Sequence, residues 1–142
     1  MRELFEDHYD ADVSLQPECA SARYKLALCA AVAREMRTVA DAAGTKLLFL
    51  VVPSRLDVCE GFDLGWIDPQ RWPDWERGRL PAAIAAVVRA TGVAYLDLYQ
   101  AFRAGGACEL FFRGGDSHWN EQGQALAARL AAGRIRGEAW LE

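Results

Sequence analysis

Asp116 and His118 stand two positions apart in the run G-G-D-S-H-W-N. At that spacing in a tight turn, a carboxylate can accept the imidazole Nδ1 proton and leave Nε2 available as a base. Such a pair is the orienter and base of a nucleophilic triad. Ser117 lies between them and is the candidate nucleophile inside the run. Neighbours in an extended turn point to opposite sides, so a plain turn residue is the favoured reading of this serine. A second concentration of polar groups, Glu6, Asp7, His8, Asp10 and Asp12, lacks the glycine and terminal glutamate of a calcium loop. It reads as a solvated terminal segment, and neither a metal nor a cofactor is expected.

The elements around the run follow from periodicity and punctuation. Over 18–43, Leu26, Cys29, Ala33, Met36 and Ala40 recur at helical spacing, and Gly44 closes the helix. The run 46–52 is apolar without alternation, as in a strand covered on both faces, and Pro53 ends it. Ser54, Arg55 and Asp57 follow on the side where open α/β sheets bind ligands. Leu80, Ile84, Val87, Val88 and Thr91 mark a second helix, with Pro81 in its first turn and Gly92 at its end. Residues 93–98 form a second strand, which implies a right-handed parallel crossover. Asp97 at its end reads as a hydrogen-bonding turn residue.

Between strand and second helix, 61–78 is irregular and carries Trp66, Trp72 and Trp75 among Pro69 and Pro73. The indoles either cover a ligand or plug the edge of a small core, and packing is favoured. Residues 100–107 lead through Gly105 and Gly106 to a short apolar strand, Leu110, Phe111 and Phe112. Asn120 then caps a last helix over 121–134 that buries Leu126 and Leu130. There is no internal repeat, and 1–17 is an irregular acidic segment ahead of a single α/β unit over 18–142.

The run D-S-H-W-N-E-Q-G-Q-A-L-A-A resembles the Asp-x-His-Trp-Asn block of the SGNH (GDSL-like) hydrolases, which include acetyl-transferring and acetyl-esterase members acting on bacterial polysaccharides. The resemblance implies that Asp116 and His118 are the triad acid and base, with Trp119, Asn120 and Gly123 as the scaffold that follows. It also places Arg55, after a strand ending in Val-Pro, at the border of the cleft. Arg55, Trp119 and Asn120 are thus candidate substrate-binding residues, Arg55 for an anionic or sugar substrate, although a plain surface arginine is the favoured reading from the sequence alone. The match covers roughly the second half of a domain of about 200 residues. Two blocks of that family have no counterpart elsewhere in the chain: the separate Gly-Asp-Ser turn bearing the nucleophile, and the Gly-x-Asn-Asp block of the oxyanion hole. The one Gly-Asp-Ser present is Gly115-Asp116-Ser117, inside the histidine block itself.

The expected fold is therefore a partial three-layer αβα unit, flavodoxin-like and SGNH-like, with a small parallel sheet. Only two substantial strands are found, and their unpaired flanks require cover from a missing N-terminal half, a partner chain or a second copy. A net charge of −4, with arginines scattered among acidic neighbours, argues against nucleic acid as a partner. Composition, 52% hydrophobic and 25% charged, is that of a folded domain. No run reaches the length of a membrane span, and the first residues lack the apolar core of a signal peptide, so the expectation is a soluble chain. Cytoplasmic and periplasmic or secreted locations both stay open.

Cys19 and Cys29 fall on one helix about 15 Å apart, too far to bridge. Cys59 and Cys108 each follow a strand and can meet on the site face, although thiols in a reducing compartment are the favoured reading. The function expected is an SGNH-like ester hydrolase or O-acyl (acetyl) transferase acting on a small-molecule or polysaccharide ester, its nucleophilic serine supplied from outside these residues. A catalytically inactive carbohydrate-binding or accessory module is the alternative.

Overall fold

The two apolar runs pair in parallel. Strands β1 (Leu48–Val51) and β2 (Ala94–Asp97) run in the register Leu48↔Ala94, Phe49↔Tyr95, Leu50↔Leu96 and Val51↔Asp97. The computed structural model describes residues 11–61, 67–113, 118–138 and 140. The helices are α1 (Ala11–Leu15), α2 (Ala20–Ala42), α3 (Arg55–Val58), α4 (Arg79–Ala90), α5 (Tyr99–Ala104) and α6 (Glu121–Gly137), with a 3-10 turn at Ala107–Leu110. Helix α2 leads into β1 and α4 into β2. Each helix is closed by a glycine of positive φ, Gly44 at 63° and Gly92 at 71°, a conformation that costs glycine little and lets the chain turn sharply into the strand. The result is an α/β fold with a small parallel sheet flanked by helices.

Two apolar clusters hold the chain. One joins α1, α2 and α4 beneath the sheet, where Val13, Ala22, Ala33 and Val88 are buried. The other lies at the carboxyl end of the strands, where Leu98 and Phe102 are fully buried and pack with Val58, Leu110, Phe111 and Ala127. This second cluster forms the floor of the candidate site.

Several expectations are corrected. The stretch before the long helix is not irregular throughout: Ala11–Leu15 is helical, and Ala11, Val13, Ser14 and Leu15 are buried. Asp12 is not a solvated terminal carboxylate, because it accepts a hydrogen bond from Lys25 Nζ at 2.7 Å. Glu6, Asp7, His8 and Asp10 lie outside the described residues. The short strand at 110–112 does not join the sheet. Leu110 ends the 3-10 turn, and Phe111 makes an isolated antiparallel bridge with Trp119. Its hydrogen-bonding partner arrives from the chain a few residues later, so the segment closes a hairpin instead of extending the ladder.

Helix α5 was not foreseen. The Asp97 carboxylate starts it by accepting the Tyr99 N–H at 2.9 Å, the turn role expected of that residue. Helix α6 runs past 134 to Gly137, and Arg134 pairs with Glu138 across its last turn at 2.9 Å. Cys59 and Cys108 are joined in a disulfide with Cα atoms 4.8 Å apart, against the expectation of thiols. Cys19 instead caps α2, its Sγ accepting the Ala22 N–H at 3.3 Å.

Candidate active site

His118 is held by a hairpin closed at both ends. The Phe112 N–H donates to the His118 carbonyl at 3.0 Å, and the Asn120 N–H donates to the Leu110 carbonyl at 2.9 Å. Between these two bonds the side chain of Phe111 goes into the core. Alternation along the extended arm then turns Phe112 outward, where it is exposed. His118 is exposed on the opposite arm. The residue is thus exposed on a backbone that is tied to the core on both sides.

Asn120 does the tying. Its Oδ1 accepts the N–H groups of Gln122 and Gly123 at 3.0 and 3.1 Å, capping α6. Its Nδ2 donates to the carbonyls of Glu109 at 2.7 Å and Phe111 at 3.2 Å. One amide thus satisfies the start of the helix and the arm of the hairpin together. Trp119 is half-buried and faces the same core, its ring 6.1 Å from that of Phe102. Gly123 is required by close approach, because a Cβ there would lie 2.6 Å from the Leu110 carbonyl oxygen and 2.9 Å from Trp119 Cβ.

The second wall comes from the turn after β1. Pro53 ends the strand and α3 follows, its start fixed by the buried Asp57, whose Oδ2 accepts both the Ser54 N–H at 2.9 Å and the Ser54 hydroxyl at 2.7 Å. Arg55, the first residue of α3, reaches across so that Nη1 donates to the Phe112 carbonyl at 3.3 Å. Phe112 therefore bonds Arg55 through its carbonyl and His118 through its amide. The far end of α3 is held by Arg77, whose Nη1 donates to the carbonyls of Leu56 at 2.6 Å and Cys59 at 2.8 Å. These are carbonyls at a helix C-terminus, where a cation is favoured.

Of the residues singled out from the sequence, His118, Trp119, Asn120 and Arg55 come together around the backbone of Phe111 and Phe112. Asp116 and Ser117 lie outside the described residues. In the tryptophan-rich stretch, Trp72 and Trp75 are half-buried in consecutive turns and Arg71 stacks over the Trp72 ring at 4.6 Å, while Trp66 is outside the described residues. Sequence reasoning placed Asp57 on this side of the sheet but missed its capping role, missed Arg77, and held the Cys59–Cys108 pairing only as the less favoured reading. Serine followed three positions later by aspartate is a capping signal that could have found the first. Nothing local marks Arg77.

The geometry offers an exposed imidazole and a guanidinium at the carboxyl end of a parallel sheet. Among the described residues no cluster of metal-ligating side chains forms, and no helix is long and apolar enough to cross a membrane. Neither a curated protein nor a solved structure matches the chain. A family model described as SGNH hydrolase-like domain, acetyltransferase AlgX, matches residues 4–142. With a match of that extent the chain belongs to this SGNH hydrolase-like family.

Proposed function

We propose that the chain is the base-carrying part of an SGNH-type ester hydrolase or O-acyl transferase. His118 takes the proton of a serine hydroxyl supplied from outside these residues as that oxygen attacks the acyl carbon. Asp116 holds the imidazole in the tautomer that leaves Nε2 to accept. The proton then passes from His118 to the leaving alcohol. In the second half His118 takes the proton of water or of a sugar hydroxyl as that oxygen attacks the acyl carbon, and returns it to the serine oxygen as the acyl group leaves. Arg55 binds an anionic or sugar group of the substrate, and Trp119 and Asn120 shape the wall beside it. The observation that carries this reading is the junction at Phe112, whose carbonyl accepts from Arg55 and whose N–H donates to the His118 carbonyl.

The test is intact-mass analysis after treatment with a fluorophosphonate, on the protein expressed from its complete gene, with His118→Ala in parallel. The expected result is one adduct on the wild type, mapping outside residues 1–142 and lost in the variant. An adduct that survives His118→Ala would overturn the reading. No adduct, together with retained binding of a polysaccharide, would favour the inactive accessory module.

The disulfide supports an oxidising compartment, periplasmic or extracellular, since buried cystines of this kind persist there. An association that covers the apolar flank of the molecule belongs to the same proposal, with a second copy of the chain as the occupant. Tyr24, Leu28, Val32, Met36 and Val39 form an exposed stripe along α2. The stripe is nearly symmetric about Val32. Two antiparallel copies of α2 would set Leu28 against Met36 and Tyr24 against Val39. Sedimentation equilibrium of the wild type and of Val32→Glu decides the point. A dimer that becomes a monomer is expected, and a monomer in both would remove this part of the proposal.

A further inference from the structure

The disulfide sits at a particular place in the site. Cys59 closes the last turn of α3, its N–H donating to the Arg55 carbonyl at 2.9 Å, and it is almost fully buried. Cys108 lies inside the 3-10 turn that leads into the hairpin carrying His118. Arg55 is one helical turn before Cys59, and Phe112 is four residues after Cys108. The hydrogen bond from Arg55 to Phe112 therefore closes a small ring whose opposite side is the sulfur–sulfur bond.

The backbone beside Cys108 explains why a covalent bond is useful there. Gly106 has φ of 95° and Ala107 has φ of 26°. The second of these two successive residues of positive φ is not a glycine, so the turn is disfavoured and must be held from outside. An exposed hydrogen bond at 3.3 Å contributes too little to hold it. We infer that the Cys59–Cys108 disulfide is a positioning bond, setting the Arg55 turn against the hairpin that presents His118.

This inference rests on the proposed role of His118 only for its consequence in turnover, and the test reads position without turnover. Alkylation of the denatured protein before reduction counts the thiols, and two modified cysteines are expected. Side-chain and amide resonances of His118, Phe112 and Arg55 are then followed in Cys59→Ser/Cys108→Ser and in Cys59→Ala/Cys108→Ser, the second keeping the buried site apolar. Lys25→Ala, remote from the hairpin, supplies a destabilised control. The expected result is a shift of these resonances in both cysteine variants and none in the control. Four modified cysteines before reduction would overturn the inference. So would variants that lose stability with His118 and Phe112 unmoved, or variants that unfold altogether, since the bond would then serve the whole fold and not this junction. Shifted resonances in a protein with neither esterase nor acyl-transfer activity would sink the proposed function and leave the positioning bond standing.

Discussion

Arg55 and His118 are joined through the backbone of one residue: Arg55 donates to the carbonyl of Phe112, and the N–H of Phe112 donates to the carbonyl of His118. The guanidinium comes from the turn after β1 and the His118 carbonyl from the hairpin before α6, so two distant segments meet at a single residue. Their relation depends on Phe112 only through its backbone, since its side chain points outward.

Replacing Arg55 separates binding from stability. The bond is exposed, so Arg55→Ala should cost less than about 1 kcal/mol in urea unfolding. If the guanidinium also meets an anionic substrate, KM for an anionic ester should rise about tenfold, equivalent to about 1.4 kcal/mol, with kcat little changed. Arg55→Lys should recover only part of this, because an ammonium lacks the planar fork. Steady-state kinetics on anionic and neutral esters check it.

Asn120 should be less replaceable than an ordinary cap. Asn120→Ala removes the α6 cap and both bonds to the hairpin, with an expected loss of about 2 kcal/mol. Asn120→Asp keeps the acceptor for Gln122 and Gly123 but puts a carboxylate against the carbonyls of Glu109 and Phe111. It should therefore remain destabilising, and chemical denaturation of the two variants gives the comparison. Equal stability of Asn120→Asp and wild type would mean the hairpin bonds contribute nothing.

At Gly123 the obstacle to a side chain is the backbone oxygen of Leu110. A carbonyl in a hairpin cannot rotate aside as the end of a long side chain can. Gly123→Ala should cost about 2 kcal/mol despite the better helix propensity of alanine. Gly133→Ala, where nothing lies within 4 Å, should be neutral or stabilising. Thermal unfolding of the pair tests both.

Acid should weaken the junction of α1 with α2. Burial works to raise the Asp12 pKa, but hydrogen bonds from the Lys25 and Ser21 side chains and the charge of Lys25 outweigh it and hold the carboxyl below its usual range. A group whose folded-state pKa is depressed stabilises the fold above its unfolded value, near about 3.9, and loses that contribution as pH falls through the lower folded value. Asp12→Asn should lose about 1 kcal/mol at neutral pH and show a flatter stability curve below about pH 4. Urea unfolding from pH 7 to pH 3 provides the measurement.

Much of this molecule is legible along the chain. The spacing of Leu26, Cys29 and Ala33, the unbroken apolar runs of the two strands, and the closing glycines Gly44 and Gly92 specify helix, strand, helix and parallel strand, because periodicity and backbone freedom are local properties. The Asp-x-His-Trp-Asn block was likewise readable as residue types at a fixed spacing, with Asn120 as a cap. Tertiary structure decided the rest. Whether Leu110 to Phe112 joins the sheet depends on which backbone groups reach it first, and the arm ending in Trp119 does. Whether Cys59 meets Cys108 depends on the positive φ of Gly106 and Ala107, which turns one loop toward another 49 residues away. Arg55 and Arg77 look like surface arginines in the sequence. They became a strut to the hairpin and a helix clamp because their partners are backbone carbonyls, which every residue carries and no sequence pattern marks.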